Sequence, residues 1–138
     1  MVPEYNFIVD DASTNYRLNV GGYSGTAGTI YTYVHIHSVV VGYILRLNVQ
    51  SHILYLTGDS LAFHNSMPFS TYDRDNDRHT DDNCAEKYKG GWWYNSCYHS
   101  NLNGLYLPGQ NNVSSANWGH FTDMSASLKY IAMKMELQ

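Results

Sequence analysis

Asp73–Gly104 reads DRDNDRHTDDNCAEKYKGGWWYNSCYHSNLNG, and the fold is decided there. This stretch holds both cysteines of the protein and two of its three tryptophans. It opens as a carboxylate-dense polar loop and closes on Trp92-Trp93-Tyr94 beside Cys97. Carboxylates packed this closely repel one another unless a cation sits among them. The alternation of Asp73, Asp75 and Asp77 has the look of an EF-hand opening, but the sixth position is Arg78 rather than Gly and the twelfth is Cys84 rather than Glu. Two readings of the loop stay open on spacing alone. It holds a hard cation with carboxylates, backbone carbonyls and waters, or it is a solvated acidic turn balanced by Arg74 and Arg78.

Working outward, the two cysteines cannot make a zinc site alone, and CxxC spacing is absent. A Cys84–Cys97 disulfide is the simpler reading and would stabilise the fold by about 3 kcal/mol through loop closure. Two buried free thiols are the alternative. A disulfide implies an oxidising, extracellular compartment. Trp92 and Trp93, adjacent on an extended strand, point to opposite faces, so they cannot both fill one core. At least one is expected to be buried, with Tyr88, Tyr98 and His99 free to serve a binding surface. Ser96, Cys97 and His99 lie too close in sequence for a nucleophile–base geometry, and there is no GxSxG, HExxH or P-loop. No catalytic residue is assigned.

The 138 residues suit one domain. A net charge of -4 and the lack of a basic stripe argue against nucleic acid as a partner. Thirteen Tyr and 11 Gly beside few Lys and Glu favour short strands and turns over long helices. The first residues, MVPEYNFIVDDAS, carry no positive n-region and no apolar h-region, so they are not a signal peptide. The expectation is a fragment of a longer protein or an incomplete reading of its gene.

Alternation predicts strands over Glu4–Val9 and Asn15–Val20, broken by the glycines from Gly21. Thr29–Thr57 is charge-poor, with Arg46 alone. Its uncharged run is too short for a membrane span and contains His35 and His37, a pair with no third metal ligand at a telling spacing. Ser60–His64 is a short apolar patch. Met67–Tyr72 and Leu105–Leu107 read as short strands, 108–112 as a surface loop, and Leu128–Leu137 as a final strand. The fold class is α+β, with short strands and much loop.

The text YRLNVGGYSGTAG (16–28), GDSLAFHNSMPFSTYDRDND (58–77), NCAEKYKGGWWYNSCYHSNLNGLY (83–106) and SLKYIAMKM (127–135) closely resembles the C-terminal part of a fibrinogen-like domain, as in ficolins, tachylectins, angiopoietins and the fibrinogens. The resemblance implies a truncated domain over 1–138 with an atypical insertion at about 29–57. Removing that insertion with one flanking glycine leaves GTAGDSLAFHN, ordinary family text, which favours a translated intron over a hairpin inserted in a surface loop. It also implies that the N-terminal subdomain and any segment that would drive oligomerisation lie outside these 138 residues.

For the site, the resemblance implies a disulfide between Cys84 and Cys97 and Ca2+ held by the carboxylates of Asp75 and Asp77 and by two backbone carbonyls, those of His79 and Asp81. One additional residue before the cysteine could move the second carbonyl to Asp82. The family's acetyl pocket implies roles for Tyr88, Ser96, Cys97, Tyr98 and Met124, with a cis peptide at Ser96–Cys97. Tyr98 stands where many lectin members have His. The loop 113–116 is short and lacks an aromatic, and Met124 occupies another aromatic position. The implied function is a secreted, calcium-dependent lectin of innate recognition, binding acetylated glycans. The alternatives are an extracellular protein-interaction or matrix module of the angiopoietin or tenascin type without sugar binding, and a truncated product with no independent function.

Overall fold

Phe7 and Val20 meet across an antiparallel hairpin, the pairing that their period-two alternation calls for. The computed structural model describes residues 4–24 and 58–133. The charge-poor segment with His35, His37 and Arg46, and the end of the strand expected over Leu128–Leu137, lie outside the described residues.

Strand β1 (Glu4–Val9) pairs with β2 (Leu18–Ser24), with Ile8 opposite Asn19 and Val9 opposite Leu18. A short 3-10 turn, Ala12–Thr14, joins them. Asp11 caps it by accepting hydrogen bonds from the Ser13 amide at 2.9 Å and the Ser13 hydroxyl at 2.6 Å. The expected second strand thus starts at Leu18 rather than Asn15, because Asn15 and Tyr16 take left-handed φ values of 54° and 55° to close the turn. The strand also runs through Gly21 and Gly22 instead of breaking there. Gly22 sits at φ 65°, beside a register shift opposite Glu4 and Asn6, where a glycine conformation lets the ladder absorb an irregularity.

Leu18 is fully buried and ties the hairpin to the rest. Its amide donates to Met67 O (2.9 Å), and its carbonyl accepts from Ser66 N (2.7 Å). The segment after it forms a 3-10 turn at Ala62–His64, and Met67–Tyr72 makes single bridges, Ser70 to Trp92 and Thr71 to Arg74, rather than the strand expected there. Helix α1 (Cys84–Lys87) is one turn long. Asn83 caps it, its side-chain oxygen accepting from Ala85 N (2.8 Å) and Glu86 N (3.1 Å). Strands β3 (Ser100–Asn101) and β4 (Asn117–Trp118) pair antiparallel, and α2 (Gly119–Thr122) follows directly.

The core gathers Leu18, Leu61, Cys84, Ala85, Trp92, Tyr94, Tyr98 and Trp118. Trp92 is fully buried and Trp93 half-buried, which matches opposite-facing neighbours. Trp93 packs edge-on against Phe7 and Phe69 and donates its indole N–H to Tyr16 O at 2.8 Å, so it pins the hairpin to the corner. At Gly104 an added Cβ would stand 2.5 Å from Asn101 Nδ2 and 2.7 Å from Ser114 O, so only glycine lets these backbones approach.

Leu105 makes one bridge, to Ser115, in place of the strand expected at Leu105–Leu107. No strand forms over residues 128–133. Leu128 turns its side chain into the core and its amide to Ala116 O (2.8 Å), while the Lys129 carbonyl accepts from the Tyr106 hydroxyl (3.0 Å). Alternating side chains make a strand only where a partner ladder is available. The result is an α+β arrangement of short elements around one aromatic core. No helix among the described residues is long and apolar enough to cross a membrane.

Candidate functional site

The carboxylates come first. Asp77 is half-buried, and both its oxygens accept backbone amides, Oδ1 from His79 (2.8 Å) and Oδ2 from Cys84 (2.8 Å). Asp75 Oδ1 accepts from Asp77 N at 3.1 Å. Burial pushes the Asp77 carboxyl above its ordinary range. The Cys84 and His79 amides pull it down, and the neighbouring Asp75 raises it further. The neighbouring carboxylates of Asp75 and Asp77 make an oxygen-only donor set of the kind a hard cation would take. The structure thus brings Asp75 and Asp77 together. The His79 imidazole turns inward to accept the amides of Asp81 (3.3 Å) and Asp82 (3.2 Å). Among the described residues, no three His, Cys, Asp or Glu side chains gather as a metal site, so further ligands would have to be carbonyls or water.

Arg74, one of the two arginines of the solvated-turn reading, makes its side-chain hydrogen bond outside the loop. Its guanidinium donates to Asn15 Oδ1 at 2.7 Å. Asp82 pairs instead with Lys87 at 2.5 Å on the exposed surface, where such a pair contributes little. The loop is anchored at both ends. Asn76 donates to Phe69 O (2.7 Å) and Asn83 to Thr71 O (3.1 Å), while Arg78 N donates to Asn95 O (3.0 Å). That last bond links the acidic loop to the segment carrying Ser96 and Cys97.

Cys84 and Cys97 form a disulfide with Cα atoms 5.6 Å apart, within the ordinary span for the bond. The Ser96–Cys97 peptide is cis. Ser96 is exposed and Cys97 half-buried. Tyr88 meets Tyr98 edge to face, ring centroids 4.7 Å apart. Tyr98 is only 5% exposed, and its hydroxyl lies 2.5 Å from Val113 O and 3.2 Å from Met124 O. Asn117 Nδ2 donates to Met124 O as well, at 2.9 Å. Tyr98 therefore fills the space beside Cys97 and binds the 113 and 124 segments to each other. Met124 (38% exposed) and Val113 (54%) form an apolar rim above it.

Sequence reasoning missed His64, which it placed in a short apolar patch. The imidazole is fully buried. Nδ1 lies 2.7 Å from Trp93 O, and Nε2 lies 3.1 Å from the amides of both His99 and Ser100. The partners fix the tautomer. Nδ1–H donates to the carbonyl, and bare Nε2 accepts both amides. Burial lowers its pKa to about 4, against a smaller raising effect of the Trp93 carbonyl. His64 thus holds both sides of the Cys97 segment, across a sequence gap that no motif spacing reveals. His99 stacks on Phe63, centroids 3.9 Å apart.

A separate open cleft of about 570 Å³ runs along α1, lined by Tyr72, Asp73, Glu86, Lys89 and the Gly90–Gly91 backbone among others. It contains neither Ser96 nor Tyr98.

A disulfide-fixed corner with a charged loop on one side and the apolar rim of Val113 and Met124 on the other offers a surface for binding. The family model describing the C-terminal globular domain of the fibrinogen beta and gamma chains matches residues 2–138, and the protein belongs to that family. Tenascin-R of Rattus norvegicus is 38% identical over 129 residues, covering 94% of this sequence and 7% of that protein. The fibrinogen-like globe domain of human ANGPTL6 superposes with a TM-score of 0.67 at 33% identity, over 92% of this sequence and 46% of that one. Lamprey fibrin D-dimer, complexed with the peptide Gly-His-Arg-Pro-amide, gives 0.60 at 26% identity over 92% of this sequence and 38% of that one. The 138 residues thus span less than half the length of these solved relatives. Tenascin, fibrinogen and angiopoietin-like relatives are extracellular, in keeping with the disulfide.

Proposed function

We propose that this protein is an extracellular protein-interaction module of the tenascin and angiopoietin-like type, whose face around Cys97 and Tyr98 receives a protein segment. The observation that carries this reading is the capping of the Tyr98 hydroxyl by Val113 O and Met124 O. With that hydroxyl engaged and its ring buried, the rim offers apolar surface rather than a polar receptor for a small acetyl-bearing sugar. The lamprey relative that holds a peptide supports the same class of ligand. Calcium would be held by the Asp75 and Asp77 carboxylates with the carbonyls of His79 and Asp81, Asp82 being the alternative to Asp81. It would supply charge compensation to the loop and not touch the ligand.

A second reading, calcium-dependent recognition of acetylated glycans in innate immunity, rests on half-buried Tyr88 standing edge-on to Tyr98, next in sequence to the disulfide's Cys97. Titration calorimetry of the full protein with N-acetylglucosamine and with Gly-His-Arg-Pro-amide, in calcium and in chelator, separates the two. Saturable heat with the peptide and none with the sugar is expected. Saturable sugar binding that the peptide fails to displace would overturn the protein-interaction reading. Chelator should lower the melting temperature through disorder of the acidic loop, and an unchanged melting temperature would remove the calcium assignment.

A further inference from the structure

The loop that caps Tyr98 carries Asn112-Val113-Ser114, the single Asn-x-Ser/Thr triplet in the 138 residues. We propose that Asn112 is an N-glycosylation site. The inference rests on the extracellular placement of the domain, and not on which partner it binds.

The geometry suits a carrier of a large polar substituent. Asn112 is exposed, and Val113 beside it is 54% exposed. Asn112 uses its backbone and its side-chain oxygen for structure. Its amide N–H donates to Ser125 O (2.6 Å), its carbonyl accepts from Ser115 N (2.9 Å), and Oδ1 accepts from Ser114 N (2.8 Å). Nδ2, the atom that takes the sugar, donates no hydrogen bond among the described residues. A substituent on it therefore breaks no hydrogen bond among the described residues. Asn95 makes the contrast. It is also followed at the second position by a small polar residue, Cys97, but its Nδ2 donates to Phe63 O (3.1 Å) and Cys97 is locked in the disulfide.

In the transfer, Nδ2 of Asn112 attacks C1 of the first sugar of a lipid-pyrophosphate-linked oligosaccharide. The N–C1 bond forms as the C1–O bond to pyrophosphate breaks. The lipid pyrophosphate leaves with the electron pair, and the amide proton passes to a carboxylate of the transferase. The Ser114 hydroxyl is the second element the transferase reads. In the folded domain it returns to the surface of α1, donating to Lys87 O at 3.2 Å. The glycan is then carried on the same rim as Val113 and Met124, and it restricts that face to partners that accept a sugar beside them.

The test is secretion of the full protein behind a leader from a eukaryotic cell, followed by intact-mass measurement before and after peptide-N-glycosidase. One enzyme-removable mass increment is expected, with Asn112 converted to Asp where the glycan was. The increment should vanish in Asn112→Gln and in Ser114→Ala and persist in Ser114→Thr. Mass reports occupancy whether or not a variant folds well. A secreted product at its bare polypeptide mass, or an increment that survives both Asn112→Gln and Ser114→Ala, would overturn the assignment.

Discussion

Within the β1–β2 hairpin, bonds run between near neighbours: Asp10 N to Arg17 O, Asn19 to Asp10, and Asp11 to the turn it caps. The 73–104 corner is held instead by a residue outside it in sequence and by its own disulfide. His64 reaches Trp93, His99 and Ser100 across 29 to 36 positions, and Cys84 is tied to Cys97. The hairpin also leaves Ile8 exposed, whereas the corner buries Trp92 and Tyr94 completely. A local element of this kind tolerates damage, because each bond replaces one to water and contributes modestly. The corner concentrates apolar burial and fixed polar partners, so stability and the geometry of the binding face depend on it together.

The contrast can be broken most severely at Trp92. Trp92→Ala removes the largest fully buried side chain and should destabilise the domain by about 3–5 kcal/mol, read as a lowered urea midpoint. A loss below about 1 kcal/mol would mean the corner is not the centre of stability.

Acid should come next, through His64. Its pKa is depressed to about 4 in the fold, so between the ordinary histidine value of 6.5 and about 4 the unfolded state binds a proton that the folded state refuses. Stability from this group is complete above 6.5, falls as pH drops through that window, and levels off below it. The loss amounts to about 3 kcal/mol, since each pKa unit is worth about 1.4 kcal/mol. His99, lowered by burial and then by His120, acts in the same direction. Urea unfolding of wild type and His64→Gln at a series of pH values checks it. A wild-type profile no steeper than the variant's across that window would contradict the assignment.

The smallest effect belongs to the hairpin. Asp11→Ala removes the cap on the Ala12–Thr14 turn and should be visible as faster amide exchange near Ser13 with the corner unaffected. Equal loss of protection at Ser100 would erase the distinction between the two regions.

Much of the corner was legible in the residues. The Trp92-Trp93 pair had to face two ways, and a disulfide between Cys84 and Cys97 was the simpler of two readings. The family resemblance added the cis Ser96–Cys97 peptide. Strand extents were less legible. Met67–Tyr72 and Leu105–Leu107 alternate well enough but found bridges instead of ladders, since a strand depends on a neighbour that local sequence does not specify. His64 was illegible for a related reason. A histidine between Phe63 and Asn65 carries no sign of partners some thirty residues away.

By itself, the sequence determined the family, the hairpin, the acidic loop with Asp75 and Asp77 in alternation, and the Asn112-Val113-Ser114 triplet. These rest on identity and short-range spacing, which are written directly in the order of residues. Tertiary structure alone decided that Asp77 takes the amides of His79 and Cys84, that His64 clamps the Cys97 segment, and that Tyr98 is buried with its hydroxyl capped by Val113 and Met124. Each of these last features depends on which backbone groups arrive beside a side chain after packing. Burial and hydrogen-bond satisfaction are set by that meeting and not by the residue type.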